Sequence, residues 1–410
     1  MLARGAMVRV YYGDGRNMKT NQYEIEAKPR FEVLDGLRGV AAALVVAFHL
    51  LETYSGGDHT RQIINHGYLA VDFFFLLSGF VIGYAYDDRW AKGMGIMTFF
   101  KRRLVRLHPL LVLGTLFGAA MFYFTYHVGP TEAESAFPMI ASVSPWKLLA
   151  VTLICITGIP ICKSLDIRGW VETNPLNGPA WSLQWEYLAN ILYALFIRRF
   201  STILLSLLVL ASGVLTVLLC FNIDVFGVLA LRDYAAYTVV GGWSLTPDQL
   251  LVGATRLFYP FFAGLLLSRL HVSIKIRKGG FALSSAVIAA ALAMPYFAPA
   301  SSPWVNGLYE AVVIMAVFPL VVAMGAGSNG GGRFCRFLGE ISYPVYIMHF
   351  PLAYMQMAWV KAHASAPLAQ HVAVNVSIFA LALAVAWAAL KLYDIPVRAW
   401  LAKRFSRKST

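Results

Sequence analysis

The 410 residues are 59% hydrophobic and only 13% charged, with a mean hydropathy of +0.63 and a formal net charge of +13. A soluble domain carries roughly a quarter charged residues, so the composition excludes an ordinary soluble protein. The apolar residues come in solid blocks of about 20, long enough to span a bilayer, without the alternation of an outer-membrane barrel.

The basic excess does not call for nucleic acid, because Lys and Arg in cytoplasmic loops account for it. Cys155, Cys162, Cys220 and Cys335 lie in or beside apolar runs without CxxC spacing, so neither a disulfide framework nor a metal site is expected. The expected fold is all-α integral membrane, with about ten transmembrane helices and one short re-entrant or interfacial segment.

Residues 1–33 are polar and lack the apolar core of a signal peptide, which predicts a cytoplasmic N-terminal tail. Spans are predicted near 34–55, 67–86, 104–127, 180–198, 202–220, 250–269, 281–298, 304–326, 338–360 and 370–391. They make up a membrane domain over 34–395, followed by a basic cytoplasmic tail over 396–410. The run Leu148 to Ile161 is too short to span and reads as the re-entrant or interfacial piece. Residues 224–240 read as an amphipathic external segment.

With the N-terminus inside, most Lys and Arg fall in the cytoplasmic stretches. The external stretches keep only Arg61, Lys147, Lys163, Arg168, Arg232 and Lys361, while Arg38 and Arg256 lie within spans. This asymmetry predicts a multi-pass protein with both termini in the cytoplasm.

The first span, LDGLRGVAAALVVAFHLL, carries Arg38 and His49 eleven residues apart. That is about three helical turns, so both share one face, about 16 Å apart along the axis. Ionisable groups inside an apolar span are costly and mark an internal pathway or site. Asp72, Glu186, Arg256 and Glu310 each follow the expected external start of a span by about one turn, and His49 lies in the same half of the membrane. These five groups are expected to converge on one external-facing cavity. The opposite side has FFKRRLVRLHPL, in which Arg103 and Arg106 share a helix face. Cations at a helix N-terminus suit a polyanion or a lipid head-group, and Arg38 with Asp35 lies near the same level. In NGPAWSLQWEYL, Ser182 and Glu186 share a face, and Trp181 and Trp185 suit interface anchoring or sugar stacking. In LGEISYPVYIMH, Ser342, Tyr346 and His349 form one stripe, suited to interhelical hydrogen bonding or to chemistry.

The successive motifs LDGLRGVAAALVVAFH, GYLAVDFFFLLSGFVIG, FFKRRLVRLHP, NGPAWSLQWEYL and LGEISYPVYIMH resemble those of acyltransferase family 3 in order and spacing, over roughly residues 31–400. The family pattern of Arg, ten residues, then His is met by Arg38 and His49. Its RxxR motif is met by Arg103 and Arg106, and its tryptophan-serine-leucine-then-glutamate motif by Trp181, Ser182, Leu183 and Glu186. The resemblance implies a bacterial inner-membrane enzyme moving an acyl group, most often acetyl, from cytoplasmic acyl-CoA to a hydroxyl of an extracytoplasmic glycan such as O-antigen or exopolysaccharide. Acyl-CoA would be a co-substrate, with no permanently bound cofactor.

On this reading His49 is the general base or a covalent nucleophile, and Glu186 or Asp72 orients it. Arg38, Arg103 and Arg106 hold acyl-CoA, and Trp181, Ser182, Arg256, Glu310, Tyr346 and His349 line the substrate path. Membrane lipid is an expected partner and nucleic acid is not. Some relatives carry a fused extracellular esterase-like domain, which this sequence does not show, so a homo-oligomer or a separate periplasmic partner also fits the resemblance. The rival class is a glycan or lipid transporter or flippase, which would use intramembrane charges without acyl chemistry. No internal repeat of the transporter kind is visible.

Overall fold

The computed structural model describes residues 30–58, 60–232, 235–328 and 331–406. The expected N-terminal tail lies, but for its last few residues, outside them. The described residues are helical with no strand. The order is α1 (Glu32–Ser55), α2 (Ala70–Ala91), α3 (Ile96–Val128), α4 (Pro130–Ala136), α5 (Pro145–Thr157), α6 (Ala180–Leu195), α7 (Thr202–Cys220) and α8 (Pro247–Arg269). Then come α9 (Gly280–Ala293), α10 (Trp304–Val312), α11 (Phe318–Gly327), α12 (Gly332–Met348), α13 (Phe350–Ala362), α14 (Leu368–Ala388) and α15 (Ile395–Ser406). A π-helical turn, Val313–Val317, joins α10 to α11, and another, Ala389–Asp394, joins α14 to α15.

Seven helices among the described residues are long and apolar enough to cross a membrane: α1, α2 with its leading turn, α3, α7, α8, the α10–α11 rod and the α14–α15 rod. The other three expected spans are shorter. Helix α6 has 16 residues and α9 has 14, the latter ending just before Pro295 in the proline-rich MPYFAPASSP. The expected span 338–360 is divided between α12 and α13 at His349. Pro351 has no N–H for the carbonyl of Ile347, which accepts from Asn177 Nδ2 at 2.8 Å instead. The short run forms α5, capped by Ser144, whose side chain accepts from the Lys147 N–H. The expected tail from 396 continues the α14 rod as α15 up to Ser406.

Two close helix pairs set the frame. Helices α2 and α8 pack along much of their lengths, as do α1 and α12. Glycine permits both approaches. A Cβ on Gly79 would strike the carbonyl of Phe261, and one on Gly264 the carbonyl of Leu76, so α2 and α8 touch backbone to backbone. On α1, Gly36 and Gly39 face Cys335 and Leu338, while Gly339 of α12 faces Asp35. The first pair carries Asp72 to Arg256, and the second carries His49 to His349.

Gly264→Leu should therefore lower the melting temperature in detergent, at a cost of about 1–3 kcal/mol or more from overpacking. Gly95→Ser, at the start of α3, where a Cβ meets only Thr98 Oγ1 at 3.9 Å, should stay within about 0.5 kcal/mol of the parent. Equal melting temperatures for the two variants would contradict the backbone contact.

Candidate active site

Two cavities of the bundle adjoin one another. The larger has a volume of about 840 Å³ and is lined by the C-terminal half of α1, the connection before α6, the start of α8 and α13. The smaller, about 110 Å³, lies among α1, α2, α3, α6 and α12. Val71 and Tyr346 line both, so the two meet at these side chains.

His49 faces the larger cavity with its side chain 19% exposed. Its Nδ1 lies 2.8 Å from Glu52 Oε2, one turn onward on α1. A carboxylate accepts only, so Nδ1 carries the hydrogen and the neutral ring keeps Nε2 as its basic nitrogen. The ring stacks on His349 at 5.5 Å and meets Phe350 edge-on at 4.7 Å. Helix α1 stops soon after, where Gly56 takes the left-handed conformation and its N–H bonds back to Thr53. The site histidine therefore sits near the end of a rigid helix.

The five ionisable groups expected in one cavity are divided among three places. Only His49 and Arg256 line the larger cavity. Asp72 is buried behind Arg256, accepting from its Nη2 at 2.7 Å and its Nε at 3.2 Å. Arg256 also donates to the carbonyls of Gly241 and Tyr68. Glu310 lies deeper still and accepts from Tyr68, Asn306 and the Val239 N–H. Glu186 is in the smaller cavity, paired with Arg103 at 2.6 Å. Neither Asp72 nor Glu186 touches His49, and the carboxylate on His49 is Glu52. The physical reason is pairing: a buried carboxylate is held by the nearest available cation or donors, whatever its depth.

The smaller cavity brings together the expected cations. Arg38, Arg103 and Arg106 line it with Ser182, Glu186 and Ser342. Arg103 is paired with Glu186, and Arg38 donates to the Gly339 carbonyl at 3.4 Å, with Asp35 at 4.0 Å. Among the described residues Arg106 has neither hydrogen bond nor ion pair, so its guanidinium is available at this mouth. Trp181 lines the larger cavity, whereas Trp185 donates to the Gly242 carbonyl and lines neither. His349 is buried outside both cavities, its Nδ1 bonded to the Val345 and Tyr346 carbonyls.

Several lining groups come from connections that the sequence left unread. Trp170 and Glu172 precede α6, and Trp243 and Asp248 flank the start of α8. The Asp166 carboxylate accepts the N–H groups of Arg168, Gly169 and Val171, folding the segment before α6 into a tight turn. Arg168 is buried, its guanidinium 3.5 Å from the Tyr354 ring centre and 4.6 Å from that of Phe137. Tyr354 donates to Glu172 at 2.8 Å, holding that carboxyl at the cavity wall. In the expected amphipathic segment 224–240, Val225 and Phe226 are exposed, whereas Arg232 is buried and donates to the Thr238 and Val240 carbonyls. Asp233 lies outside the described residues. Among the described residues no group of three His, Cys, Asp or Glu is placed to hold a metal.

An all-helical membrane protein with a basic mouth on one side of a tyrosine and a histidine-carboxylate pair on the other has the makings of a group-transfer catalyst. The acyltransferase domain model matches residues 31–391, and the chain belongs to acyltransferase family 3. The chain is 38% identical over 184 residues to "Protein 2 in picA locus" of Rhizobium radiobacter, a match covering 44% of this chain and 90% of that protein. It is 26% identical over 178 residues to "Acyltransferase MdmB" of Streptomyces mycarofaciens, covering 41% of this chain and 40% of that one. No solved structure is matched.

Two predictions follow from the charges. Asp72→Ala strands Arg256 in the core and should cost about 3–5 kcal/mol, read as a large fall in melting temperature. An unchanged melting temperature would remove the pair as a structural tie. Glu172, in the connection before α6, titrates unusually. Burial pushes its carboxyl from 4.5 up to about 7, against the hydrogen bond from Tyr354 and the charge of Arg168. Between those values the folded chain keeps a proton that the unfolded chain has released. Stability should thus fall as pH rises from 4.5 through about 7, the penalty being complete above it. Glu172→Gln should flatten that part of a pH series of melting temperatures, and an unchanged slope would contradict the assignment.

Proposed function

We propose that this protein transfers an acyl group, acetyl, from cytoplasmic acyl-CoA to a hydroxyl of a glycan on the other side of the bacterial inner membrane. The observation that carries the reading is the junction of two cavities of opposite character at Val71 and Tyr346. The smaller is a cationic mouth with Arg106 unpaired, which suits the phosphates of a CoA nucleotide through charge-assisted forks. The larger, with faces from Trp170, Trp181 and Trp243 and carboxyl groups from Glu52, Glu172 and Asp248, suits a sugar. The excess of Lys and Arg on one side supports a cytoplasmic smaller cavity, an extracytoplasmic larger one and both termini inside.

In this reading the pantetheine arm runs from the Arg106 mouth past Tyr346, and the acceptor hydroxyl lies against His49. Glu52 fixes the tautomer, so that Nε2 takes the hydroxyl proton as the oxygen attacks the thioester carbon. The glutamate favours a general base over a covalent nucleophile, since it stabilises the imidazolium that proton transfer creates. Sharing of one path by donor and acceptor raises their effective concentration at the reacting atoms.

Inside-out vesicles given radiolabelled acetyl-CoA should place label on enclosed glycan. His49→Ala should remove transfer by about 10²–10⁴ while accumulating normally in the membrane. Arg106→Ala should raise the apparent KM for acetyl-CoA about tenfold or more, for loss of a charge-assisted contact of about 1.5–3 kcal/mol. Normal transfer by His49→Ala would end the base reading, and glycan movement without label would favour a transporter.

A further inference from the structure

Tyr346 is more than an interhelical tie. Its ring is buried edge-on against Phe74 at 5.6 Å and lies 6.1 Å from the His349 ring, which in turn stacks on His49. Its hydroxyl is 2.7 Å from Ser182 Oγ and 3.1 Å from the Pro179 carbonyl, and Ser182 Oγ is itself 2.9 Å from that carbonyl. Two hydroxyls share two protons around one carbonyl. One proton lies between the oxygens and the other goes to Pro179. The Pro179 carbonyl also accepts the Ser182 N–H, so it stays satisfied whichever hydroxyl donates to it. The tyrosine can therefore turn its O–H away at little cost: Ser182 O–H donates to the tyrosine oxygen, and the Pro179 carbonyl keeps the Ser182 N–H. Arg256, a charged donor at the wall of the larger cavity, has four of its five N–H groups committed to Asp72, Gly241 and Tyr68.

We propose that the Tyr346 hydroxyl is a catalytic residue, the hydrogen-bond donor to the thioester carbonyl oxygen as that oxygen becomes an oxyanion. The proposal rests on the acyl-CoA reading above. The acceptor oxygen bonds to the thioester carbon and its proton passes to His49 Nε2. The carbonyl electron pair moves onto oxygen, where Tyr346 O–H holds it. Collapse re-forms the carbonyl and breaks the carbon–sulfur bond, and the leaving thiolate takes the proton from His49. Atoms and charge balance without any further reagent. Position at the junction serves this role, because a carbonyl arriving along the smaller cavity meets Tyr346 before it meets the acceptor.

Tyr346→Phe keeps the ring and its packing. In the vesicle assay with radiolabelled acetyl-CoA, its maximal rate should fall about 10²–10³-fold, as for loss of one oxyanion donor. The apparent KM for acetyl-CoA should stay within about threefold, because the contact is made in the transition state. Difluorotyrosine installed at 346 keeps the hydroxyl and should restore most of the rate. A merely structural tie predicts a lowered melting temperature without this split of maximal rate from KM. Wild-type maximal rate in Tyr346→Phe overturns the proposal, as does failure of difluorotyrosine to restore it. Absence of label from wild-type protein instead overturns the acyl-CoA reading itself, and the donor assignment with it.

Discussion

Inside an apolar bundle each ionisable side chain has to find a partner or reach water, because an unpaired buried charge costs several kcal/mol. That requirement sorts this molecule into structure and site. Arg256 and Asp72 are paired where α2 and α8 cross closely, with two further carbonyls taking up two more Arg256 N–H groups. Glu310 is enclosed by three donors from α10, the turn before α2 and the segment before α8. These groups hold elements together. His49 and Arg106 are different. The histidine has one nitrogen committed to Glu52, the guanidinium has no partner among the described residues, and both face a cavity.

The fold class was legible because hydropathy alone requires apolar helices in a bilayer. The span count was less legible, since apolar length does not reveal where backbone bonds break. Pro295 and Pro351 curtail or divide spans that composition alone makes continuous. Among the site groups, Arg38, Arg103 and Arg106 could be brought together from spacing and side of the membrane, and the structure gathers them at one mouth. Depth misled for Glu186, Asp72 and Glu310, because side chains at one level still choose partners by direction around the helix. Glu52 was within reach: it follows His49 by three residues, the same spacing that linked Arg103 to Arg106. Trp170, Glu172, Trp243 and Asp248 were not. They belong to connections whose position depends on contacts remote in sequence, such as Arg168 on Tyr354.

The junction between the cavities also shows why irregular backbone lies at the centre of the bundle. Non-helical backbone at membrane depth is tolerated only where protein groups satisfy it or where it lines a cavity. Here both conditions hold. The carbonyl of Ile347, released by Pro351, is taken by Asn177, and Pro179, two residues on, presents its own carbonyl to the Ser182 and Tyr346 hydroxyls. The start of α6 and the α12–α13 break thus satisfy each other. The pairing sets Tyr346 between the cavities and places His349, at the break itself, against His49. The helix break and the candidate chemistry are therefore one feature, built from a proline that removes a donor and an asparagine that replaces it.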